Sequence, residues 1–221
     1  GSTDRLDPGM MSPQEIAMPP IPDIPVAVAG LSFRNPFVVA SGPTTKTVEQ
    51  LVAAERHGWA GVSTKLAIDP APYISRSPRY HWNAKRRLHS FTAEKRLTAD
   101  EGLALIDQGR RRCRELILLA NITYAGPDGL EGWRRLARRF EAAGAHAIEL
   151  NLCCPNMSYN LDVGGKDPAD RPASGASVGQ DPTAVAGIVE AVCGAVAVPV
   201  FAKITPEGGR EIGRASCRER V

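Results

Sequence analysis

Short apolar runs alternate with amphipathic segments along most of the chain. The runs are rich in Val, Ile, Leu and Ala and too short for helices, so they predict buried strands at 37–41, 61–65, 116–121, 147–151 and 199–204. The helical segments between them begin with capping residues, namely Thr47, Thr98, Asp128 and Asp181. A short hairpin over 26–34 precedes the first strand. This alternation is typical of parallel βα units.

The spacing of apolar residues also predicts which helix faces pack inward. The helix after Thr98 is expected to turn Leu103 and Ile106 toward the sheet. The helix after Asp128 has its apolar residues at helical spacing at Leu130, Trp133, Leu136 and Phe140.

A long basic stretch from about 66 to 96 separates the second strand from its helix. We interpret it as a loop whose charged and aromatic residues are typical of a solvated surface. The alternative is that these side chains cover a substrate or a partner subunit, with His81 as an acid. They are Arg76, Arg79, Tyr80, His81, Trp82, Lys85, Arg86, Arg87 and His89.

Polar residues collect where the predicted strands end, at Ser41, Lys65, Asn121, Asn151, Cys154 and Lys203. In a (β/α)8 barrel all of these residues lie on the C-terminal face of the sheet, where such folds carry their chemistry. A doubly wound open sheet is the competing architecture, and it normally has a Gly-rich turn after the first strand. The segment 41–45 does not match GxGxxG. We therefore predict an α/β fold of the TIM (β/α)8 barrel type.

The fourth strand runs into a loop with two thiols and two amides, closed by proline, over residues 151–156. An amide offers a donor and an acceptor on one rigid group, and a cysteine can lose its proton near neutral pH. Catalytic chemistry is therefore one interpretation of Cys153 and Cys154. The alternative is that both are small, inert core residues, which is common for unpaired cysteines.

Composition and charge limit the function classes. A hydrophobic content of 43% and a charged content of 23% are ordinary for a globular protein, and the net charge of +3 is too small to indicate nucleic-acid binding. Five cysteines without regular spacing indicate a reducing compartment. No apolar run approaches the ~18 residues of a membrane helix. We therefore expect a soluble, cytoplasmic protein.

The pattern stops after five βα-type strands, whereas a closed barrel needs eight. Positions 211–221 are arginine-rich without helical spacing and resemble translated sequencing-adapter DNA; a solvated native tail is the alternative. We expect a flexible, proline-rich lead-in over 1–25, a partial barrel over 26–210, truncated after about the fifth strand, and a non-native tail over 211–221 that includes Cys217. The fragment itself is expected to be inactive.

The motifs on the strand ends resemble the FMN-dependent dihydroorotate dehydrogenase superfamily, and within it the catalytic barrel of dihydropyrimidine dehydrogenases. The resemblance covers about 26–209. It is carried by five stretches in order: 35–45 (NPFVVASGPTT), 61–65 (GVSTK), 149–156 (ELNLCCPN), 179–182 (GQDP) and 201–206 (FAKITP). The last two favour the dihydropyrimidine branch over the dihydroorotate branch.

The resemblance implies a hydride transfer between FMN and a dihydropyrimidine ring such as dihydrouracil or dihydrothymine, with Cys154 as general acid/base at the neighbouring ring carbon. It implies that Asn151, Cys153 and Asn156 contact the substrate. The cofactor would be contacted by Ala40, Ser41, Lys65, Asn121 and Lys203. It also implies a pyrimidine substrate and an NAD(P)H or iron–sulfur electron-transfer subunit for a homo-oligomeric intact protein.

Several departures from the family pattern leave alternatives open. Cys153 stands where the family typically has serine, and Ala93 stands where the dihydropyrimidine branch has a substrate-binding asparagine. A missing amide leaves a ring's polar edge unpaired and weakens its selection. The alternatives are a dihydroorotate dehydrogenase or related ene-reductase, and an inactive barrel fragment in which Cys154 is structural. No CxxCxxC run is present, so iron–sulfur clusters would lie in a missing region or a partner.

Overall fold

A computed structural model describes residues 24–70, 80–91, 96–154 and 174–205. Within those ranges, no helix combines the length and the apolar character needed to cross a membrane. The strands are β1 (Val26–Val28), β2 (Leu31–Phe33), β3 (Val38–Val39), β4 (Gly61–Ser63), β5 (Ala67–Asp69), β6 (Tyr80–Asn83), β7 (Leu88–Phe91), β8 (Leu97–Thr98), β9 (Ile117–Tyr124), β10 (Ala147–Leu152) and β11 (Val200–Ile204). The helices are α1 (Val48–Arg56), α2 (Ala99–Arg112), α3 (Gly129–Ala142), α4 (Ala176–Gly179) and α5 (Pro182–Cys193).

The central sheet has the order β11-β10-β9-β4-β3, and every neighbouring pair in it is parallel. The sheet curls into half of a barrel, which confirms the predicted α/β architecture of the TIM-barrel type. The predicted hairpin is also present, since β1 and β2 pair antiparallel through Val28 and Leu31. Each helix connects one central strand to the next, as the βα pattern requires.

The stretch from 66 to 96 is not simply a loop, which corrects the sequence interpretation. Its first described part is β5, which pairs with the C-terminal half of β9, and β8 then pairs parallel with β5. A separate hairpin joins β6 and β7. The second strand therefore does not end at Lys65: it is interrupted there and resumes as β5.

The interruption at Lys65 is a β-bulge. Ser63 is opposite Leu119 and Ala67 is opposite Ile122, so four steps along one strand match three along the other. The Thr64 hydroxyl accepts the backbone N–H of Asn121 at 3.3 Å, which satisfies a donor beside the break. Because one extra residue reverses the alternation of side chains, the strand above the bulge turns a different set of residues to the inner face.

The two faces of the sheet differ in chemistry. On β9, Leu118, Ala120 and Ile122 pack into the core beneath the helices. The alternate residues Leu119 and Asn121 lie on the concave face. The hydrophobic effect therefore holds the helices on the outer face and leaves the concave face for polar groups above Leu119.

The helix faces largely follow the predicted spacing. Ile106 in α2 is fully buried, as predicted. The second buried leucine or isoleucine of this helix is Leu105 rather than the predicted Leu103, which is only partly buried. In α3, Leu130 is exposed, so its predicted inward position is wrong. The three remaining predicted residues of that helix are buried: Trp133, Leu136 and Phe140.

Three of the four predicted helix starts are capped by the expected side chain. Thr47 and Thr98 form capping boxes, and the Asp181 carboxylate accepts the N–H groups of Thr183 and Ala184. Asp128 occupies the expected position before α3, but its carboxylate binds Arg135 at 2.7 Å rather than the helix backbone. An exposed arginine about two turns along the helix thus replaces the backbone as its partner.

The lower half of the concave face is apolar. The hairpin β1–β2 covers it and encloses a cavity of about 400 Å³, to whose lining Val28, Phe33, Leu119 and Phe201 contribute. Phe201 is opposite Glu149 in the sheet register. The boundary between the apolar layer and the polar residues above it therefore passes through this pair.

Gly179 allows α4 to rest against the end of β10, directly before the two thiols. A Cβ at this position would overlap the Leu152 carbonyl oxygen, whereas a Cβ at Gly187 in α5 would meet no atom within 4 Å. Both glycines lie in helices of the same connection. Substitution of each glycine by alanine therefore gives a matched pair of variants, which differ in what the added methyl group meets.

We expect Gly179→Ala to lower the free energy of unfolding by about 1–3 kcal/mol, because α4 must shift away from β10. Gly187→Ala should be neutral or stabilising by up to about 1 kcal/mol, since alanine is the better helix former. Urea denaturation of both variants measures the difference. Equal stabilities for the two would contradict this account of α4 packing.

His146 precedes β10 and is held in its neutral form. Its Nδ1 accepts the N–H of Leu118 at 2.9 Å, and the Arg110 guanidinium contacts Nε2. Burial, followed by the positive charge of Arg110, lowers the pKa of His146 from 6.5 to about 4. The unfolded chain therefore binds a proton at this residue below pH 6.5, whereas the folded chain does not until about pH 4.

The free energy of unfolding should consequently fall as the pH drops from 6.5 toward 4. In His146→Asn, whose side-chain oxygen can still accept the Leu118 N–H, we expect this acid sensitivity to shrink by about 1 kcal/mol near pH 5, discounted for partial exposure. His57→Asn, at an exposed helix end, is the control. Unfolding measured at several pH values tests this, and an identical pH dependence in His146→Asn and wild type would refute it.

Candidate functional site

Glu149 is the centre of a polar layer on the concave face. Its Oε1 accepts hydrogen bonds from the Ser63 hydroxyl at 2.7 Å and from the Asn121 amide, and it lies 3.5 Å from the Lys203 ammonium. These side chains come from four different strands. Ser63 reaches Glu149 across the whole width of β9, because side chains converge on the inner side of a curled sheet.

Two asparagines connect this layer to the thiol loop. The Asn121 amide oxygen accepts a hydrogen bond from Asn151 Nδ2 at 3.0 Å, and both residues are buried. The Asn151 amide oxygen in turn accepts the backbone N–H of Cys154 at 3.1 Å and that of Cys153 at 3.5 Å. These bonds determine the orientation of both amides, and they fix the backbone of the loop to the end of β10.

Cys154 lies on the inner face above the bulge. Its side chain is half-buried against a small apolar cluster of Leu66, Ile68 and Ala125. The Arg96 guanidinium donates a hydrogen bond to its sulfur, with Nη2 and Sγ 3.1 Å apart. Its backbone carbonyl accepts the N–H of Ala176, which connects the loop to α4. A thiol beside a cation and an apolar wall is an environment in which thiolate chemistry occurs.

Cys153 has a different environment from its neighbour. Its Sγ lies 3.6 Å from the Asn151 amide oxygen, to which it can donate as a thiol. Burial raises the pKa of Cys153, and the nearby Lys203 ammonium lowers it by less. Cys153 therefore favours the protonated form, which suits a residue that donates rather than exchanges a proton.

The predicted cofactor residues lie along the same edge of the sheet. Ala40 is exposed and Ser41 half-buried, both directly after β3. Lys65 is half-buried on the bulge, where its N–H bonds to the carbonyl of Thr45 in the turn after β3 at 2.8 Å. Asn121 and Lys203 both contact Glu149. Asn156, predicted to bind substrate, and Ala93 lie outside the described residues.

Sequence reasoning did not assign a role to Ser63, Arg96 or Glu149. A signal existed for Glu149, because it is the one charged residue in the otherwise uncharged strand β10 and shares a face with Asn151 two positions later. Ser63 is likewise the one polar side chain in strand β4, which is a weaker indication of a role on the concave face. Arg96 had none, since its position depends on the pairing of β8 with β5.

Comparisons with known proteins identify the family of the chain and agree with its fold. A family model described as dihydroorotate dehydrogenase matches residues 24–215. The chain is similar to dihydropyrimidine dehydrogenase (NADP(+)), chloroplastic, of Arabidopsis thaliana, with 30% identity over 203 residues that cover 84% of this chain and 43% of that protein. It is 29% identical over 194 residues to the NAD-dependent dihydropyrimidine dehydrogenase subunit PreA of Escherichia coli (strain K12), covering 85% and 43% of the two chains.

Among solved structures, the ligand-free DHODH from Eimeria tenella superposes with a TM-score of 0.62 at 18% identity, covering 88% of this chain and 57% of that one. At this identity the likeness shows the fold alone. The chain spans less than half the length of the two curated relatives above. The family model covers most of the chain, and its match includes every described strand and helix. The chain belongs to the dihydroorotate dehydrogenase family.

Proposed function

We propose that the protein is a flavin-dependent oxidoreductase that acts on a CH–CH bond of a dihydropyrimidine ring, with Cys154 as the general acid/base. The observation that carries the proposal is the position of Cys154 at the carboxyl end of β10, next to Arg96 and above the polar layer. In (β/α)8 enzymes, catalytic groups lie at this end of the strands. A cysteine can both give and accept a proton near neutral pH when its neighbours stabilise the thiolate.

The residues present fit an FMN cofactor. Small residues at Ala40 and Ser41 leave their backbone open at the sheet edge, and an extended aromatic ring can lie against such a surface. Lys203 and Lys65 would stabilise negative charge on the ring, and Asn121 would donate from its amide. When bound, FMN supplies a two-electron carrier that takes or gives a hydride. This chain's residues orient the substrate and move the proton.

Lys203 is positioned for this role by its ion pair with Glu149. The carboxylate compensates the ammonium while one-third of the lysine side chain remains exposed toward the open side of the sheet. The same carboxylate is held by Ser63 and Asn121, so the ammonium is anchored to a fixed point. A cation held in place stabilises developing charge without reorganising during the reaction.

The Asn151 amide supports a planar substrate with a polar edge. One of its amide hydrogens binds Asn121, and a carboxamide nitrogen carries two, so a hydrogen is left for a ring carbonyl. Asn156 and Cys153 are the other residues proposed to contact the substrate. The dihydropyrimidine names of the two curated relatives reported above support this substrate class.

Dihydroorotate oxidation is the second candidate. It is favoured by the family model's description and by Ala93, which lacks the amide expected for a dihydropyrimidine. The two substrates differ in a carboxylate, which a buried cation such as Arg96 would attract. The same flavin, the same thiol and the same face of the sheet would serve either reaction.

An electron-transfer partner follows from the same proposal. The E. coli relative is named as a subunit of an NAD-dependent dehydrogenase, so a partner that exchanges electrons with NAD(P)H, with iron–sulfur clusters as carriers, fits this chain. We further propose that residues 26–210 form the FMN-binding unit and that the protein assembles as a homo-oligomer.

Cys154→Ser should slow anaerobic reduction of FMN by dihydrouracil about 100-fold, since a hydroxyl is far weaker as an acid/base near neutral pH. Cys153→Ser should change the rate by less than about 10-fold, because that thiol is not the proton-transfer group. These assays use the intact protein loaded with FMN, and the loss of its flavin absorbance measures both rates. Equal, small effects of the two substitutions would refute the assignment of Cys154.

Parallel assays with dihydroorotate separate the two candidates. Faster reduction by dihydroorotate than by dihydrouracil would support the second candidate. Wild-type protein that binds FMN, yet is reduced by neither compound, would overturn both.

A further inference from the structure

We propose that Arg96 is a positioning residue that orients and polarises the Cys154 sulfur through a charge-assisted hydrogen bond. The proposal rests on the proposed function only in taking Cys154 as the proton-transfer group. Its structural basis is the hydrogen bond of 3.1 Å between Arg96 Nη2 and Cys154 Sγ.

The fold brings these two residues together through the bulge. The bulge turns Leu66 and Ile68 to the inner face, where both contact the half-buried Cys154 in one cluster. The backbone N–H of Leu97 bonds to the Leu66 carbonyl at 2.9 Å, and β8 continues alongside β5. Arg96 immediately precedes Leu97, so the strand pairing places its side chain over the same cluster.

Burial strengthens the contact. Arg96 is 9% exposed, and an ionic hydrogen bond gains strength where water does not screen it. A guanidinium stays charged at every physiological pH, so its hydrogen bond to the sulfur remains charge-assisted throughout that range.

Other ionisable groups surround the thiol on the elements packed against it. They are Cys153 beside it, and Glu149 and Lys203 in the polar layer below. Glu149 and Lys203 are paired with each other, so their charges partly cancel at Cys154. Within the described part of the chain, the hydrogen bond to the Cys154 sulfur comes from Arg96.

Cys153 shows what the same loop does without a guanidinium. Its sulfur is held by an amide oxygen, which can accept only from the protonated thiol. Two adjacent thiols thus have opposite partners, a cation for one and an acceptor for the other. We therefore expect Cys154 to react with electrophiles faster than Cys153 at neutral pH.

Iodoacetamide alkylation of the 221-residue chain, followed by mass spectrometry of each cysteine, tests the proposal without flavin or substrate. For Cys154 in Arg96→Gln, we expect the alkylation rate at neutral pH to fall about 3-fold to 10-fold, because the sulfur loses its charged hydrogen-bond donor. Arg96→Lys retains the charge and should keep most of the wild-type rate.

Cys193 is exposed on α5 and serves as the internal reference, since its rate should not change in either variant. An unchanged Cys154 alkylation rate in Arg96→Gln would overturn the proposal, and so would equal losses of rate in Arg96→Gln and Arg96→Lys. If Arg96→Gln does not fold, the wild-type chain decides: Cys154 must be alkylated faster than Cys153 at neutral pH, and the reverse order contradicts the role. An absence of flavin reduction in the intact protein, together with the expected alkylation rates, would reject the proposed function and leave the role of Arg96 supported.

Discussion

The carboxylate of Glu149 is the interaction on which the upper half of the concave face depends. A single oxygen accepts from Ser63 and Asn121 and faces the Lys203 ammonium, so four strands are joined at one atom. A buried carboxylate is costly unless it is paired and hydrogen-bonded, and here it is both. Because each partner comes from a different strand, these contacts require the sheet to curl. The polar layer is therefore a consequence of the fold and a constraint on it.

The bulge at Thr64–Leu66 is the second feature on which the concave face depends, and it lies above the polar layer. Below it, β4 turns Ser63 toward Glu149, and above it, β5 turns Ile68 toward Cys154. Without the extra residue, the alternation would direct Ala67 inward and remove the apolar wall behind the thiol. Thr64 satisfies the Asn121 N–H beside the break, and the Lys65 N–H bonds to the turn after β3. The irregular backbone is therefore supported by hydrogen bonds on both sides.

The five central strands and their helices were predictable, because burial repeats the same apolar pattern in each βα unit. The faces of α2 and α3 were partly predictable: a helical stripe places Ile106 and Phe140 inward, but it does not exclude an exposed Leu130 at the helix start. The bulge, β5 and β8 were not predictable, since their short segments carry no periodicity and depend on the edge offered by β9. The role of Arg96 was not predictable for the same reason. The strand-end residues Asn121, Asn151 and Lys203 were predictable as site residues, because parallel strands end at one edge of the sheet.

The two thiols show that residue type alone does not determine the chemical environment of a side chain. Cys153 and Cys154 are adjacent and half-buried, and both backbone N–H groups bind the same Asn151 oxygen. Their sulfurs nevertheless diverge, one toward an amide acceptor beneath it and the other toward a guanidinium from a different part of the chain. Burial raises the pKa of the first. The second lies beside a guanidinium, so its environment is set by a strand pairing 58 residues earlier in the chain.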